Sequence, residues 1–166
     1  MARPLILVIP LALLAACGSG KDGTAITLNA DGADGNVVAS IAANGQLALN
    51  APGISGNIKL PAIKLDAGDF DMNGVHLYPG STISGMNIDG HDRSGRDDDG
   101  RVKVSFESPA TPAAVRDWFA AKLGRARFKV APNGSGLSGT TDEGKPFRLD
   151  LAPRGADKAD GTILIG

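Results

Sequence analysis

"RVKVSFESPATPAAVRDWFAAKLG" occupies residues 101–124 and holds the change of period that decides the fold. Its first eight residues set Val102, Val104 and Phe106 against Lys103, Ser105 and Glu107, the alternation of a half-buried strand. Beyond Pro109 the period lengthens, and Val115, Trp118, Phe119 and Leu123 share one face at helical spacing. Thr111 suits the cap of that helix, and Pro112 its first turn, where a missing donor is harmless. Lys122 complements the dipole in the last turn, and Gly124 reads as the terminator. The expectation is a strand, then a helix of about twelve residues, ~18 Å long. One apolar face on each element requires that they pack together, with Trp118 and Phe119 as the plug.

Strand patterns continue downstream. "RARFKV" (125–130) puts Ala126, Phe128 and Val130 inside and Arg125, Arg127 and Lys129 outside. "LSGTT" (137–141) is weaker. "PFRLDLAP" (146–153) alternates Phe147, Leu149 and Leu151 with Arg148 and Asp150, and "TILIG" (162–166) closes the chain. Residues 142–145 read as a hairpin turn. The predicted order over 102–166 is β-α-β-β-β, a small α+β domain, with the last strand on an edge.

Upstream, residues 89–101, "DGHDRSGRDDDGR", contain no apolar side chain and read as a solvated linker at 91–101. Before it lies a glycine-rich half, 24–90. "AITLNA" (25–30), "VVASIA" (37–42) and "GQLALNAPG" (45–53) are short strand candidates separated by turns such as "DGADGN" (31–36). Apolar pairs spaced by two follow: Ile58/Leu60, Ile63/Leu65, Phe70/Met72 and Val75/Leu77, broken by Pro61, Gly68, Asn73-Gly74 and Pro79-Gly80. Asn-Gly is a favoured reverse turn because both residues tolerate positive φ. "STISGMNIDG" (81–90) continues with Ile83, Met86 and Ile88. The whole is expected to be mainly β: a glycine-rich all-β module, either a sandwich or a short solenoid, followed by the α+β module.

The first residues have a different character. Arg3 is followed by an apolar run from Leu5 to Leu14, interrupted by Pro10, and by the small residues Ala15 and Ala16. This is the layout of a secretion signal over 1–16, too short to span a bilayer as a mature helix. Leu14-Ala15-Ala16-Cys17 resembles the lipobox of bacterial lipoproteins. The resemblance implies that the Cys17 thiol receives a diacylglycerol, that the signal is cut before it, and that the new amino terminus is acylated. Residues 17–23 then form a lipidated tether. Gly18, in place of an aspartate, implies sorting to the outer membrane with the body facing the periplasm. The plain alternative is an ordinary secreted chain cut after Ala16. The stretch 24–90 also resembles adhesin-type β domains of bacterial envelope proteins, in its glycine-rich texture of short alternating strands. That likeness transfers no active residue.

Composition limits the chemistry. Among 166 residues, Lys and Arg total 17 and Asp and Glu 18, so no global basic field points to nucleic acid. Cys17 is the only cysteine. Once lipidated it leaves no thiol for a disulfide or a metal. His76 and His91 with scattered acids fall short of the three or four ligands of a zinc site. Asp89, Asp92, Asp97, Asp98 and Asp99 lie near glycines but lack the EF-hand spacing, and Arg93, Arg96 and Arg101 neutralise them. No serine sits in a Gly-x-Ser-x-Gly elbow. "GLSGTTDEGKP" lacks the ending of a phosphate loop. Arg125, Arg127 and Lys129 form the one candidate anion or partner face, unless Glu107 and Asp150 pair with them across the sheet. The expectation is a non-enzymatic, membrane-anchored envelope lipoprotein with no cofactor or metal and a structural or protein-binding role. The alternative is a ligand-binding or accessory subunit of an envelope sensing or transport complex, its small-molecule ligand undefined.

Overall fold

The structure is a computed structural model and describes residues 23–32, 35–90 and 100–166. These residues form one large mixed sheet and a single helix, so the protein is mainly β. In chain order the elements are β1 Ala25–Gly32, β2 Gly35–Ile41, β3 Gln46–Ala51, β4 Ile54–Lys59, β5 Leu65–Asp66, β6 Thr82–Gly90, β7 Arg101–Ser108, α1 Pro112–Arg125, β8 Lys129–Asn133, β9 Gly136–Thr140, β10 Pro146–Arg154 and β11 Lys158–Ile165. The sheet order is β4-β3-β2-β1-β6-β7-β11-β10-β9-β8, with the two-residue β5 beside β6. Every pairing is antiparallel except β1 with β6.

The glycine-rich stretch β1–β4 is an antiparallel meander continuous with the rest of the sheet. It is neither two packed sheets nor a stack of parallel coils. The charged stretch near 91–101 joins β6 to β7, which pair directly from Thr82↔Glu107 to Asp89↔Arg101. Residues 91–99 lie outside those described. The core also crosses that point. Phe70, Met72, Val75, Leu77 and Ile83 from the first half cluster with Val104, Phe106, Phe119, Leu149 and Ile163 from the second. The halves that composition separates therefore share one sheet and one core.

Between β4 and β6 the alternating pairs do not make long strands. Phe70, Met72, Val75 and Leu77 are buried, but only a bridge between Met72 and Val75 has strand character. Asn73 (φ 52°) and Gly74 (φ 77°) turn the chain between them, and Met72 and Val75 exchange both backbone bonds at 3.0 Å. The segment is held as a packed loop instead. The fully buried Thr24 hydroxyl donates to the Ile83 carbonyl at 2.5 Å and accepts from the Leu65 amide at 3.1 Å. The Asn73 amide donates to Asp142 at 2.6 Å, tying the Asn-Gly turn to the β9–β10 hairpin.

Helix α1 begins as its residues predict. Thr111 caps it, accepting from the Ala114 amide at 3.4 Å, and Pro112 opens the first turn. Val115, Phe119 and Leu123 are fully buried, while Trp118 is half-buried at the rim. The helix does not stop at Gly124. It runs to Arg125, and Arg127 adopts the left-handed conformation (φ 66°) that closes it. The Phe128 amide bonds back to the Leu123 carbonyl at 3.0 Å and the Arg127 amide to Gly124 at 3.4 Å, a Schellman arrangement in which Phe128 and Leu123 are both buried. Four strands follow the helix, one more than β-α-β-β-β, and the final strand β11 is not an edge: it sits between β7 and β10.

Candidate functional site

Strand register sorts the side chains onto two faces. Cross-strand partners share a face, so the pairings carry one apolar row set across the whole sheet. Leu28 neighbours Ala39 and Ile88, Ala39 neighbours Leu49, and Leu47 neighbours Ile58; on the other side, Ile88 neighbours Val102 and Val102 neighbours Ile165. The opposite face carries Thr27, Ser40, Asn57, Asn87, Lys103 and Arg148, with Val38, Ala48 and Leu164 interspersed, and is the more polar of the two.

The apolar face is covered over only part of its width. Over β7 to β10 the helix closes it: Phe119 meets Phe106 at 6.1 Å between ring centres, and Phe128 meets Phe147 edge-on at 5.6 Å. Gly161 makes room there, because a Cβ on it would lie 2.1 Å from the Phe106 ring. The 65–81 loop extends the cover, and Tyr78 meets Trp118 edge-on at 5.6 Å with the Lys122 ammonium 4.7 Å from the indole centre. Over β1–β4 neither element reaches. Leu28 is 45% exposed, Ile54 64% and Ile58 58%, with Val37 and Leu49 also exposed. An uncovered row of aliphatic side chains of this kind makes the face the candidate site.

The two edges of the sheet differ. In β8, at one edge, Pro132 occupies a position whose backbone faces away from β9, because the two-residue turn fixes Asn133↔Gly136 as a bonded pair. The ring removes an outward donor without weakening the ladder, and Lys129 adds charge, both familiar protections of an edge. In β4, at the other edge, all six residues are exposed, none is proline, and only Lys59 is charged. A shallow depression of about 320 Å³ lies beside this edge, lined by Asn44, Gln46, Asn57, Ile58 and Lys59.

The residues singled out in the sequence are placed as follows. Cys17 and His91 lie outside the described residues. Arg125, Arg127 and Lys129 are exposed but do not form a strand face: Arg125 ends α1, Arg127 is the left-handed residue after it, and Lys129 begins β8. The strand pattern of "RARFKV" fails in its first half because the helix continues into it. Glu107 and Asp150 find other partners. Asp150 accepts two bonds from Arg148 at 2.8 and 2.9 Å, and Glu107 contacts Arg154. Arg154 also lies 3.6 Å from Asp160, which faces Glu107 across the strands. Burial raises the Glu107 carboxyl above its ordinary pKa, the Asp160 carboxylate raises it further, and Lys158 opposes them.

His76 is surface-exposed, with Nδ1 3.0 Å from the Phe70 carbonyl and Nε2 3.6 Å from Asp71. Ser135 donates to the Leu151 carbonyl. Among the described residues no three His, Cys, Asp or Glu side chains converge on a metal position, and no helix is long and apolar enough to cross a membrane. Comparisons with protein-family models, curated proteins and solved structures find no match. Sequence reading did not single out the uncovered face as a site. Its signal was the recurrence of Ile26/Leu28 and Leu47/Leu49 at a spacing of two and of Ile54/Ile58 at four, and neither α1 nor the 65–81 loop covers that face.

Proposed function

We propose that this chain is a non-enzymatic envelope lipoprotein, held to the outer membrane by lipid on Cys17, whose body works by binding protein. The observation that supports the binding role is the exposed apolar face of β1–β4, centred on Leu28, Leu49, Ile54 and Ile58. An aliphatic surface without charged side chains favours burial against another macromolecule by the hydrophobic effect, at ~25 cal/mol per Å² removed from water. The anchor reading rests on the lipobox-like Leu14-Ala15-Ala16-Cys17, with a tether of about six residues, ~20 Å when extended, leading to β1.

Two measurements test the parts separately. Growth with labelled fatty acid and intact-mass analysis are expected to place acyl groups on Cys17, with Cys17→Ala unlabelled and washed from membranes. An unmodified Cys17 in membrane-extracted protein removes the anchor. For the binding role, a Leu49→Ser/Ile58→Ser variant is expected to lose partners that co-purify stoichiometrically with the wild type from solubilised envelopes. Equal recovery by both proteins removes the apolar face from the proposal.

A further inference from the structure

The edge strand β4 points to a particular partner. We propose that two copies of this chain pair through β4, antiparallel and centred on Gly56, so that the sheet runs on from one molecule into the next. The proposal goes beyond the protein-binding reading, because it uses the edge of the sheet and not its apolar face, and it does not depend on the anchor.

The phase of the β3–β4 ladder decides which backbone groups are available. The turn Pro52-Gly53 closes the hairpin at Ala51↔Ile54, and the Leu60 amide bonds the Gly45 carbonyl at 2.7 Å. Ile54, Gly56 and Ile58 are thereby the residues bonded to β3, and Ser55, Asn57 and Lys59 turn their N–H and C=O groups outward. A second β4 running the opposite way about Gly56 sets Ser55 of each copy against Asn57 of the other. Those two pairs exchange four backbone hydrogen bonds through groups that β3 leaves free.

The side chains of β4 are self-complementary about the same centre. Ile54 of one copy meets Ile58 of the other, twice, on the apolar face. Ser55 meets Asn57 on the polar face, where both can hydrogen-bond. Gly56 meets Gly56 at a non-bonded pair, the position where strands approach most closely. Lys59, the only charge in β4, meets the uncharged Gly53, so no like charges face each other. This isologous arrangement closes with two copies, because it uses up the β4 edge of both. The far edge, with Pro132 and Lys129, is blocked against the same reaction.

Cysteine scanning of the full chain tests the register. A Cβ at Gly56 meets nothing within 4 Å, so Gly56→Cys leaves the monomer undisturbed. At a non-bonded antiparallel pair two cysteines lie within disulfide reach, whereas Ser55→Cys faces Asn57 and is displaced from its own copy. Under mild oxidation Gly56→Cys is expected to give at least tenfold more disulfide-linked dimer than Ser55→Cys or the wild type. Asn57→Pro removes one outward donor as Pro132 does, and light scattering is expected to show its mass halved with an unchanged circular dichroism spectrum. A Gly56→Cys protein that stays monomeric, or a Ser55→Cys protein that crosslinks equally, overturns the pairing. If the wild type is monomeric but still captures a different protein through the apolar face, self-pairing falls while the binding role stands.

Discussion

Phe119 and Trp118 are adjacent in α1 but differ in what they contribute. Phe119 is fully buried against Phe106, so Phe119→Ala removes a ring from a closed core and is expected to cost about 3–5 kcal/mol in chemical denaturation. Trp118 lies at the rim, and its buried Nε1 has no hydrogen-bond partner within the protein. Trp118→Phe surrenders no protein hydrogen bond and keeps the edge contact to Tyr78, so its expected cost is below about 1 kcal/mol. Equal losses in the two variants would contradict this division. Glu107 couples stability to pH. Its folded-state pKa is raised by burial and by Asp160, so the folded protein holds that proton more tightly than the unfolded chain does. Stability therefore falls as pH rises through the raised value. The penalty is absent below the ordinary pKa of 4.5 and complete above the folded one. Glu107→Gln is expected to flatten the fall in stability as pH rises above 4.5. Parallel profiles for the two proteins would show that Glu107 does not set the slope.

At the scale of elements, the end of α1 carries a strained residue. Arg127 adopts φ 66° with no glycine to ease it, and the Schellman bonds from Phe128 and Arg127 hold it there. Arg127→Gly permits the same geometry without the Cβ clash and is expected to stabilise the protein by up to about 1 kcal/mol, read as a raised denaturation midpoint. A fall in the midpoint would mean that the arginine side chain stabilises the site by more than the strain it brings. The opposite kind of position is Gly161 in β11, where the Phe106 ring occupies the space a side chain would need. Gly161→Ala is expected to cost about 1–3 kcal/mol by overpacking, because Phe106 is itself enclosed and cannot move aside. An unchanged midpoint would show that the ring has room to shift.

Across the whole molecule, the closed core and the open apolar face are separated along the sheet. The helix and the 65–81 loop close the core over β5 to β10, and the meander β1–β4 extends beyond them with one apolar face open. Ile54 and Ile58 contribute little to folding because they remain mostly exposed in the folded state. Ile54→Ser/Ile58→Ser is therefore expected to change unfolding free energy by less than about 1 kcal/mol while lowering the binding of a hydrophobic reporter dye severalfold. A large loss of stability would place these side chains in a core and remove them from the candidate surface.

The amino-acid sequence determined what depends on neighbours along the chain. Alternation in "AITLNA", "RVKVSFES" and "PFRLDLAP" marked strands because the period of two is a property of the extended backbone itself. Thr111, Pro112 and the Val115/Phe119/Leu123 stripe marked α1 because capping and helical periodicity act within a few residues. Contacts between distant segments decided the rest. Phe70, Met72, Val75 and Leu77 alternate like a strand, yet they are buried by a loop tied down through Thr24 and Asp142, far away in the chain. Arg125, Arg127 and Lys129 read as one strand face until the helix, extended by burial of Leu123 and Phe128, claimed the first of them. The central place of β11 and the joining of the two halves through β6 and β7 depend on pairing choices that no local pattern encodes. The open apolar face belongs to the same class: alternation shows that β1–β4 have an apolar side, and only the position of α1 in space leaves that side uncovered.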